Sequence, residues 1–158
     1  MTSQAPAMTL VAPAQRPKGK QMSDARTAAT ADDVRATGHA FVAALTSKDD
    51  DAMLALFAPA VDFRALTPGQ LWERETPAEV VSEVILGTWF GPGEAVELVE
   101  AVDTGLVGDR GRVSYRLRVA DGDSRYVVEQ QAYLELTAGQ ITWMRVLCSG
   151  FRPVPASG

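Results

Sequence analysis

The sequence predicts an α+β fold in which three helices pack on the concave face of a curved antiparallel sheet. Residues 32–45 and 77–89 carry apolar side chains at helical spacing, and residues 52–57 form a short apolar run. From residue 94 to residue 148, apolar and polar side chains alternate in the manner of half-buried strands. The chain has 158 residues, which suits one hydrophobic core, so one folded domain is expected.

Each predicted helix has a start signal. Asp32 or Asp33 can cap the first helix, and the three carboxylates of residues 49–51 precede the second, which Pro59 ends. A calcium loop is the alternative for these carboxylates, but the alternating oxygen ligands and terminal glutamate of such a loop are missing. Residues 76–79, Thr-Pro-Ala-Glu, form a capping box before the third helix. The face of the first helix expected in the core consists of Val34, Gly38, Phe41, Val42 and Leu45.

A two-residue loop at residues 122–123 sets the register of the central hairpin. The opposed pairs are then Arg116–Glu129 and Arg110–Glu135 on one face, and Val113–Ala132, Tyr115–Gln130 and Leu117–Val128 on the other. Opposite charges thus meet on one face and mostly apolar groups on the other, which cross-strand pairing favours. The basic side chains of Arg112, Arg116 and Arg118 are therefore expected on an outer sheet face that glutamates partly neutralise. Earlier in the chain, Val61, Phe63 and Ala65 should point inward.

The last strand, residues 141–148, has two possible parities. A plain two-residue loop at residues 138–139 turns Trp143, Arg145 and Leu147 inward. A bulge in the hairpin instead turns Met144, Val146 and Cys148 inward. The bulge is favoured, because an unpaired arginine inside would be costly. It leaves Trp143 on the outer face, where an exposed tryptophan suggests a homodimer.

Charge and composition exclude several function classes. The net charge of −5 opposes binding to nucleic acid and to anionic membrane surfaces. One cysteine, Cys148, and one histidine provide no zinc cluster, and no motif indicates a nucleotide or metal cofactor. A single cysteine suits a reducing compartment, so a cytoplasmic location is expected.

The predicted domain occupies residues 31–153, after a disordered leader at residues 1–30 that is rich in Ala, Thr and Pro and lacks a secretory signal. Residues 154–158 are expected to be a flexible tail. Without the four positive and one negative residues of the leader, 11 positive and 19 negative residues remain, a net charge of −8. The folded part is therefore more acidic than the whole chain.

Residues 33–153 resemble the nuclear transport factor 2-like superfamily, in particular its SnoaL-like and ketosteroid isomerase-like members. The similarity lies in Phe-Val-Ala-Ala-Leu at residues 41–45, Leu-Phe-Ala at 56–58 and Met-Arg-Val-Leu at 144–147. Residues 129–133 and 147–153 are similar to uncharacterised bacterial members. The resemblance implies a cone, in which helices close a bent sheet around an apolar cavity, and commonly a dimer.

The resemblance also places the known catalytic positions of related enzymes on unsuitable residues. Ketosteroid isomerases of this superfamily use a tyrosine, an aspartate base and a protonated aspartate. By the resemblance, these positions fall on Phe41, Ala65 and Ala132, none of which has the required hydroxyl or carboxyl group. Epoxide hydrolases of the superfamily use two inward aspartates around an arginine. Asp62, Asp103 and Arg145 could supply that set only if the strand parities were opposite to those predicted.

The remaining candidates for catalysis are His39, Gln130 and Tyr115. His39 lies two positions from Phe41. The amide of Gln130 is expected among apolar side chains, where it needs the Tyr115 hydroxyl and a water, or a ligand, as partners. Cys148 can be a nucleophile or a packed core residue. The expected cavity is lined by Phe41, Phe63, Trp72, Trp89, Tyr115, Gln130, Met144 and Cys148.

Three functions are compatible with the sequence. The first is binding of a small apolar or aromatic molecule in the cavity. The second is an isomerase, cyclase or hydrolase that acts on a small apolar, polyketide-like substrate. The third is a dimeric protein-interaction module that uses the outer sheet face.

Overall fold

The computed structural model describes residues 28–155, which form three helices and seven strands. The helices are α1 (Ala31–Ser47), α2 (Asp50–Leu54) and α3 (Glu79–Trp89). The strands are β1 (Phe57–Thr67), β2 (Gln70–Arg74), β3 (Glu94–Val107), β4 (Arg110–Asp121), β5 (Ser124–Thr137), β6 (Gln140–Cys148) and β7 (Arg152–Pro153). Most of the predicted leader, and residues 156–158 of the predicted tail, lie outside the described residues. Within them, no helix has the length and apolar character that crossing a membrane requires.

The seven strands form one sheet in the order β2-β1-β6-β5-β4-β3, and β7 pairs with β5 beyond the end of β6. Every pairing is antiparallel except that of β1 with β6, which is parallel. The sheet is therefore mixed and not wholly antiparallel as predicted, because β1 and β6 run in the same direction. The α+β class and the curved sheet carrying three helices are confirmed. We call the side that carries the helices and the core the inner face, and the opposite side the outer face.

The register of the central hairpin is the predicted one. Tyr115 lies opposite Gln130 and Arg116 opposite Glu129, and Gly122 has the positive φ of 58° that the tight turn requires. On the outer face, Arg116 forms an ion pair with Glu129 at 2.8 Å, and Arg110 pairs with Glu135 at 2.7 Å. Arg112 and Arg118 are neutralised by Asp103 and Glu100 of β3. The basic side chains of β4 are thus an outer surface of paired charges.

The parity of β6 is decided by a bulge. The β5–β6 hairpin has a two-residue turn at Ala138 and Gly139, with φ of 51° and 78°, and its register then shifts between Glu135 and Leu136. The shift leaves Thr142 unpaired and turns Met144, Val146 and Cys148 into the core. The loop and the bulge therefore occur together, and the predicted inward set for the bulged hairpin is confirmed.

Two helix boundaries differ from the prediction. The N-cap of α1 is Thr30, which exchanges side-chain hydrogen bonds with Asp33 in a capping box, so neither Asp32 nor Asp33 is itself the cap. Asp49 caps α2 as expected, but this helix ends at Leu54. Pro59 lies within β1, in a stretch that has no partner in β6, so its missing N–H breaks no hydrogen bond of that pairing.

Helix α3 is wound more loosely than an α-helix. The N–H of Phe90 donates to the carbonyl of Ile85 at 2.8 Å, five residues earlier, which is the π-helical pattern. A Cβ atom at Gly87 would overlap the carbonyl oxygen of Ser82, also five residues earlier, so this winding requires glycine there. The capping box of Thr76 and Glu79 opens the helix as predicted.

Candidate functional site

Most side chains that were predicted to line a cavity pack against one another on the inner face. Phe41, Phe63, Tyr115, Gln130 and Met144 are each exposed by 3% or less. The ring centroids of Phe41 and Tyr115 lie 5.9 Å apart, and those of Phe63 and Trp89 lie 6.1 Å apart. These distances are typical of packed aromatic pairs. Both aromatic pairs therefore belong to the hydrophobic core of the inner face.

A pocket of about 370 Å³ opens at one end of the inner face. It lies between the end of α3, the β1–β2 turn and the chain that follows β6. Two predicted cavity residues, Trp89 and Cys148, line it. Trp72 stands behind Trp89, with its ring edge-on at 6.2 Å. The lining residues are Thr67, Pro68, Thr88, Trp89, Cys148, Gly150, Phe151 and Arg152.

Buried polar groups lie next to Cys148. Gln130 is its direct neighbour across the β5–β6 pairing, and the Tyr115 hydroxyl donates a hydrogen bond to Gln130 Oε1. Burial, together with the nearby Cys148 thiol, raises the pKa of Tyr115, so its hydroxyl stays protonated and can donate. Cys148 Sγ accepts a hydrogen bond from the N–H of Gly150 at 3.3 Å. Of the three candidates for catalysis, Gln130 and Tyr115 are thus in contact with each other.

Two buried N–H donors near the pocket have no hydrogen-bond partner within residues 28–155. They are Nε2 of Gln130 and the indole Nε1 of Trp89. An unsatisfied buried donor costs about 1–3 kcal/mol, so native structures usually supply an acceptor from protein, water or ligand. Residues 28–155 therefore provide no acceptor for either of these two donors.

The other candidate side chains lie elsewhere. His39 is on the exposed face of α1 and does not line the pocket. Asp62 and Arg145 form an ion pair at 3.1 Å on the outer face, where the hydrogen bond from Arg145 lowers the pKa of Asp62. Asp103 pairs with Arg112 at 2.8 Å. The three residues of the epoxide-hydrolase alternative are therefore not gathered around the pocket.

Trp143 also differs from its prediction. It lies on the outer face as expected, but it is only half-buried rather than freely exposed. The guanidinium of Arg110 lies 3.8 Å from its ring centroid and that of Arg145 lies 4.4 Å away. Two cation–π contacts thus cover the indole.

The chain after β6 supplies pocket residues that the sequence did not single out. Gly150, with φ of 79°, turns this segment, and Phe151 and Arg152 follow it into the pocket wall. Residues 147–153 carried similarity to uncharacterised proteins, but those after residue 148 matched no predicted helix or strand. A Gly-Phe-Arg-Pro sequence after a core strand was the available signal. Within residues 28–155, no cluster of three or more His, Cys, Asp or Glu side chains could hold a metal ion.

Solved structures show where this architecture has been seen before. A candidate isomerase from Bacillus subtilis is 13% identical and matches with a TM-score of 0.63, over 75% of this chain and 87% of that one. An NTF2-like protein of unknown function from Mesorhizobium loti is 17% identical and matches with a TM-score of 0.58, over 79% of this chain and 98% of that one. This chain has the nuclear transport factor 2-like fold.

Other proteins that share the nuclear transport factor 2-like fold have different activities. An LEH-like epoxide hydrolase from M. tuberculosis is 15% identical and matches with a TM-score of 0.57, over 75% of this chain and 84% of that one. No protein-family model and no curated protein matches the chain. At such identities the likeness gives the fold, and the activity has to be argued from the site.

Proposed function

We propose that this nuclear transport factor 2-like domain, residues 31–153, binds a small apolar or aromatic molecule in the pocket between α3 and residues 148–152. The observation that carries the proposal is the aromatic wall of a pocket of about 370 Å³, in which Trp89 lies against Trp72 and Phe63. Pockets of this size that combine apolar walls with a few polar groups are typical small-molecule sites. Trp89 and Cys148 contact the ligand in this proposal, and Phe63 and Trp72 support the wall.

Binding is favoured over an isomerase, cyclase or hydrolase activity by the composition of the wall. Among residues 28–155, those that line the pocket include no Asp, Glu or His, the side chains that most often transfer protons in catalysis. The thiol of Cys148 has no imidazole beside it in the wall to act as its base. A cytoplasmic location remains part of this proposal, because the chain has a single cysteine.

The test fills the pocket from its exposed side. Thr88 lines the pocket and is exposed, so Thr88→Phe adds volume there without disturbing the core. Ser82→Phe is the matched control, because Ser82 is exposed on the same helix and does not line the pocket. Each full-length protein is purified from its own host and examined by native mass spectrometry for a retained small molecule.

The expected result is a bound molecule in the wild type and in Ser82→Phe, and its loss in Thr88→Phe. Gln130→Leu adds a second measurement, since unchanged retention would remove Gln130 from the site. A molecule that Thr88→Phe retains as well as the wild type does would exclude this pocket as the binding site.

A second copy of the chain on the outer face is a further part of the proposal. Leu66, Leu71 and Leu147 lie side by side on three adjacent strands and are 51%, 59% and 61% exposed. Contiguous exposed apolar side chains of this kind are typical of interaction sites. A homodimer through this row of leucines is therefore proposed in place of one centred on Trp143. The same leucine row is the surface that a protein-interaction module would use.

A further inference from the structure

Arg152 differs from every other arginine in residues 28–155. The other nine each form an ion pair with an Asp or Glu within 4.0 Å, whereas Arg152 forms none among these residues. The paired arginines are Arg35, Arg64, Arg74, Arg110, Arg112, Arg116, Arg118, Arg125 and Arg145. Asp and Glu outnumber Lys and Arg in this chain, so a shortage of carboxylates does not explain why none within residues 28–155 pairs with Arg152.

Arg152 also lines the proposed binding pocket. It is the one charged side chain among the residues that line the pocket, and its neighbours there include Trp89, Phe151 and Pro68. Paired arginines of the outer face stand among carboxylates, whereas the other described residues that line this pocket with Arg152 are all uncharged. A guanidinium at the rim of an apolar pocket suits a ligand with an apolar body and one negative group.

An uncharged polar group of the pocket wall points to the same class of ligand. The indole Nε1 of Trp89, a lining residue, is an N–H donor without a partner in the described part of the chain, and it needs an acceptor. No carboxylate among the lining residues would repel an anion. A carboxylate is acceptor-only when ionised and matches the planar fork of a guanidinium with two parallel hydrogen bonds.

We infer that the pocket binds an aromatic or aliphatic carboxylic acid, with its carboxylate on Arg152 and its apolar body against Trp89 and Phe151. This inference rests on the proposed function and narrows it to a ligand class. Arg152 is the residue that determines specificity, because it distinguishes an acid from a neutral molecule of the same shape. The excess negative charge of the chain opposes anions at long range, so the selectivity has to come from this contact.

The experiment uses two probes of similar shape, 2-naphthoate and the uncharged 2-naphthylmethanol, with the full chain in isothermal titration calorimetry. The wild type should bind 2-naphthoate more tightly than the alcohol. Arg152→Gln should weaken 2-naphthoate binding about tenfold, the loss of roughly 1.4 kcal/mol expected for one charge-assisted contact, and change binding of the alcohol less than twofold. Arg152→Lys keeps the charge and should retain part of the preference for the acid.

Arg125→Gln is the matched control, because Arg125 is also exposed but pairs with Glu97 and does not line this pocket. It should leave the affinity for both probes unchanged. Equal wild-type affinity for the two probes, or an equal loss of both in Arg152→Gln, would overturn the inference. Failure of 2-naphthoate to bind the wild type would overturn it as well.

Failure of this inference is distinguishable from failure of the proposed function. If the inference alone is wrong, Thr88→Phe still abolishes retention of the molecule that the wild type carries from its host. If the pocket is not a binding site, Thr88→Phe leaves that retention and the binding of both probes unaffected.

Discussion

Tyr115 and Gln130 form a polar pair in an otherwise apolar part of the core. Both side chains are almost fully buried, and the Tyr115 hydroxyl donates to Gln130 Oε1. A phenolate at this position would lose hydration without gaining a cation, and for this reason burial raises the pKa of Tyr115 above its ordinary value of 10.0. The pair is therefore stable only while the phenol keeps its proton.

The raised pKa of Tyr115 predicts a loss of stability in alkali. Above about pH 10 the unfolded chain releases the phenol proton, whereas the folded chain retains it, so the free energy of unfolding falls as pH rises. The contribution of this group is fully present below pH 10 and declines by up to about 1.4 kcal/mol per pH unit above it. Urea denaturation from pH 8 to pH 11 measures the effect.

Tyr115→Phe is expected to remove this part of the alkaline decline, although it lowers stability at pH 8 by leaving Gln130 Oε1 without its donor. Tyr133→Phe is the control. The Tyr133 hydroxyl accepts a hydrogen bond from Gln131 Nε2 on the outer face, so this variant should keep the wild-type pH dependence. An identical decline in wild type and Tyr115→Phe would show that Tyr115 titrates normally.

At the residue scale, cross-strand register decides what the sequence can predict. The contact of Tyr115 with Gln130 follows from a two-residue loop, because antiparallel pairing then fixes every opposed pair. The sequence predicted that the Gln130 amide would need partners, but the lack of an acceptor for Gln130 Nε2 and Trp89 Nε1 within residues 28–155 depends on three-dimensional packing. Arg152 lies beyond the last predicted strand, where no register was available to place it.

At the element scale, α3 links the fold to the pocket. Its final residues, Thr88 and Trp89, form part of the pocket wall, and their direction depends on the π-helical winding that precedes them. Long π-helical runs are rare, and π-bulges within helices occur frequently at functional sites. The winding rests on Gly87, since any Cβ atom there meets the Ser82 carbonyl.

Gly87→Ala is therefore expected to lower the free energy of unfolding by about 3 kcal/mol, the size of a severe steric conflict in the backbone. Gly93→Ala is the matched control, because its added Cβ would lie 3.7 Å from the nearest atom, Asp121 Oδ1, at ordinary contact distance. Urea denaturation should show a change below about 0.5 kcal/mol for the control. Equal stability of both variants would mean that the helix rewinds to α geometry at little cost.

The capping box predicts where α3 begins, but no sequence signal predicts its π-helical winding. A capping box is a local signal, whereas the sequence of α3 has no pattern that distinguishes hydrogen bonds over five residues from those over four. The bulge at Thr142 was favoured by the cost of burying Arg145. The parallel pairing of β1 with β6 joins strands far apart in sequence, and no local pattern indicated it.

At the scale of the whole molecule, the outer face has two regions of different character. Ion pairs that join neighbouring strands cover β3, β4 and part of β5, where Arg112, Arg116 and Arg118 are all paired. Exposed surface pairs of this kind contribute about 0–1 kcal/mol each, so they serve solubility more than stability. Ion pairs also join β1 to β2 and to β6, at Arg64–Glu73 and Asp62–Arg145, but the leucine row lies two residues further along these strands and is exposed.

The proposed homodimer follows from this contrast, because burying the leucine row in a second copy removes apolar surface from water at about 25 cal/mol per Å². Leu147→Glu places a charge at the β6 end of the row and should convert a dimer into a monomer in sedimentation velocity, with the fold retained because the side chain is 61% exposed. Leu98→Glu is the matched control, since Leu98 is 55% exposed on the edge strand β3, away from the row. It should leave the dimer intact. Monomeric wild type at micromolar concentration, or dissociation by Leu98→Glu alone, would contradict an interface at this row.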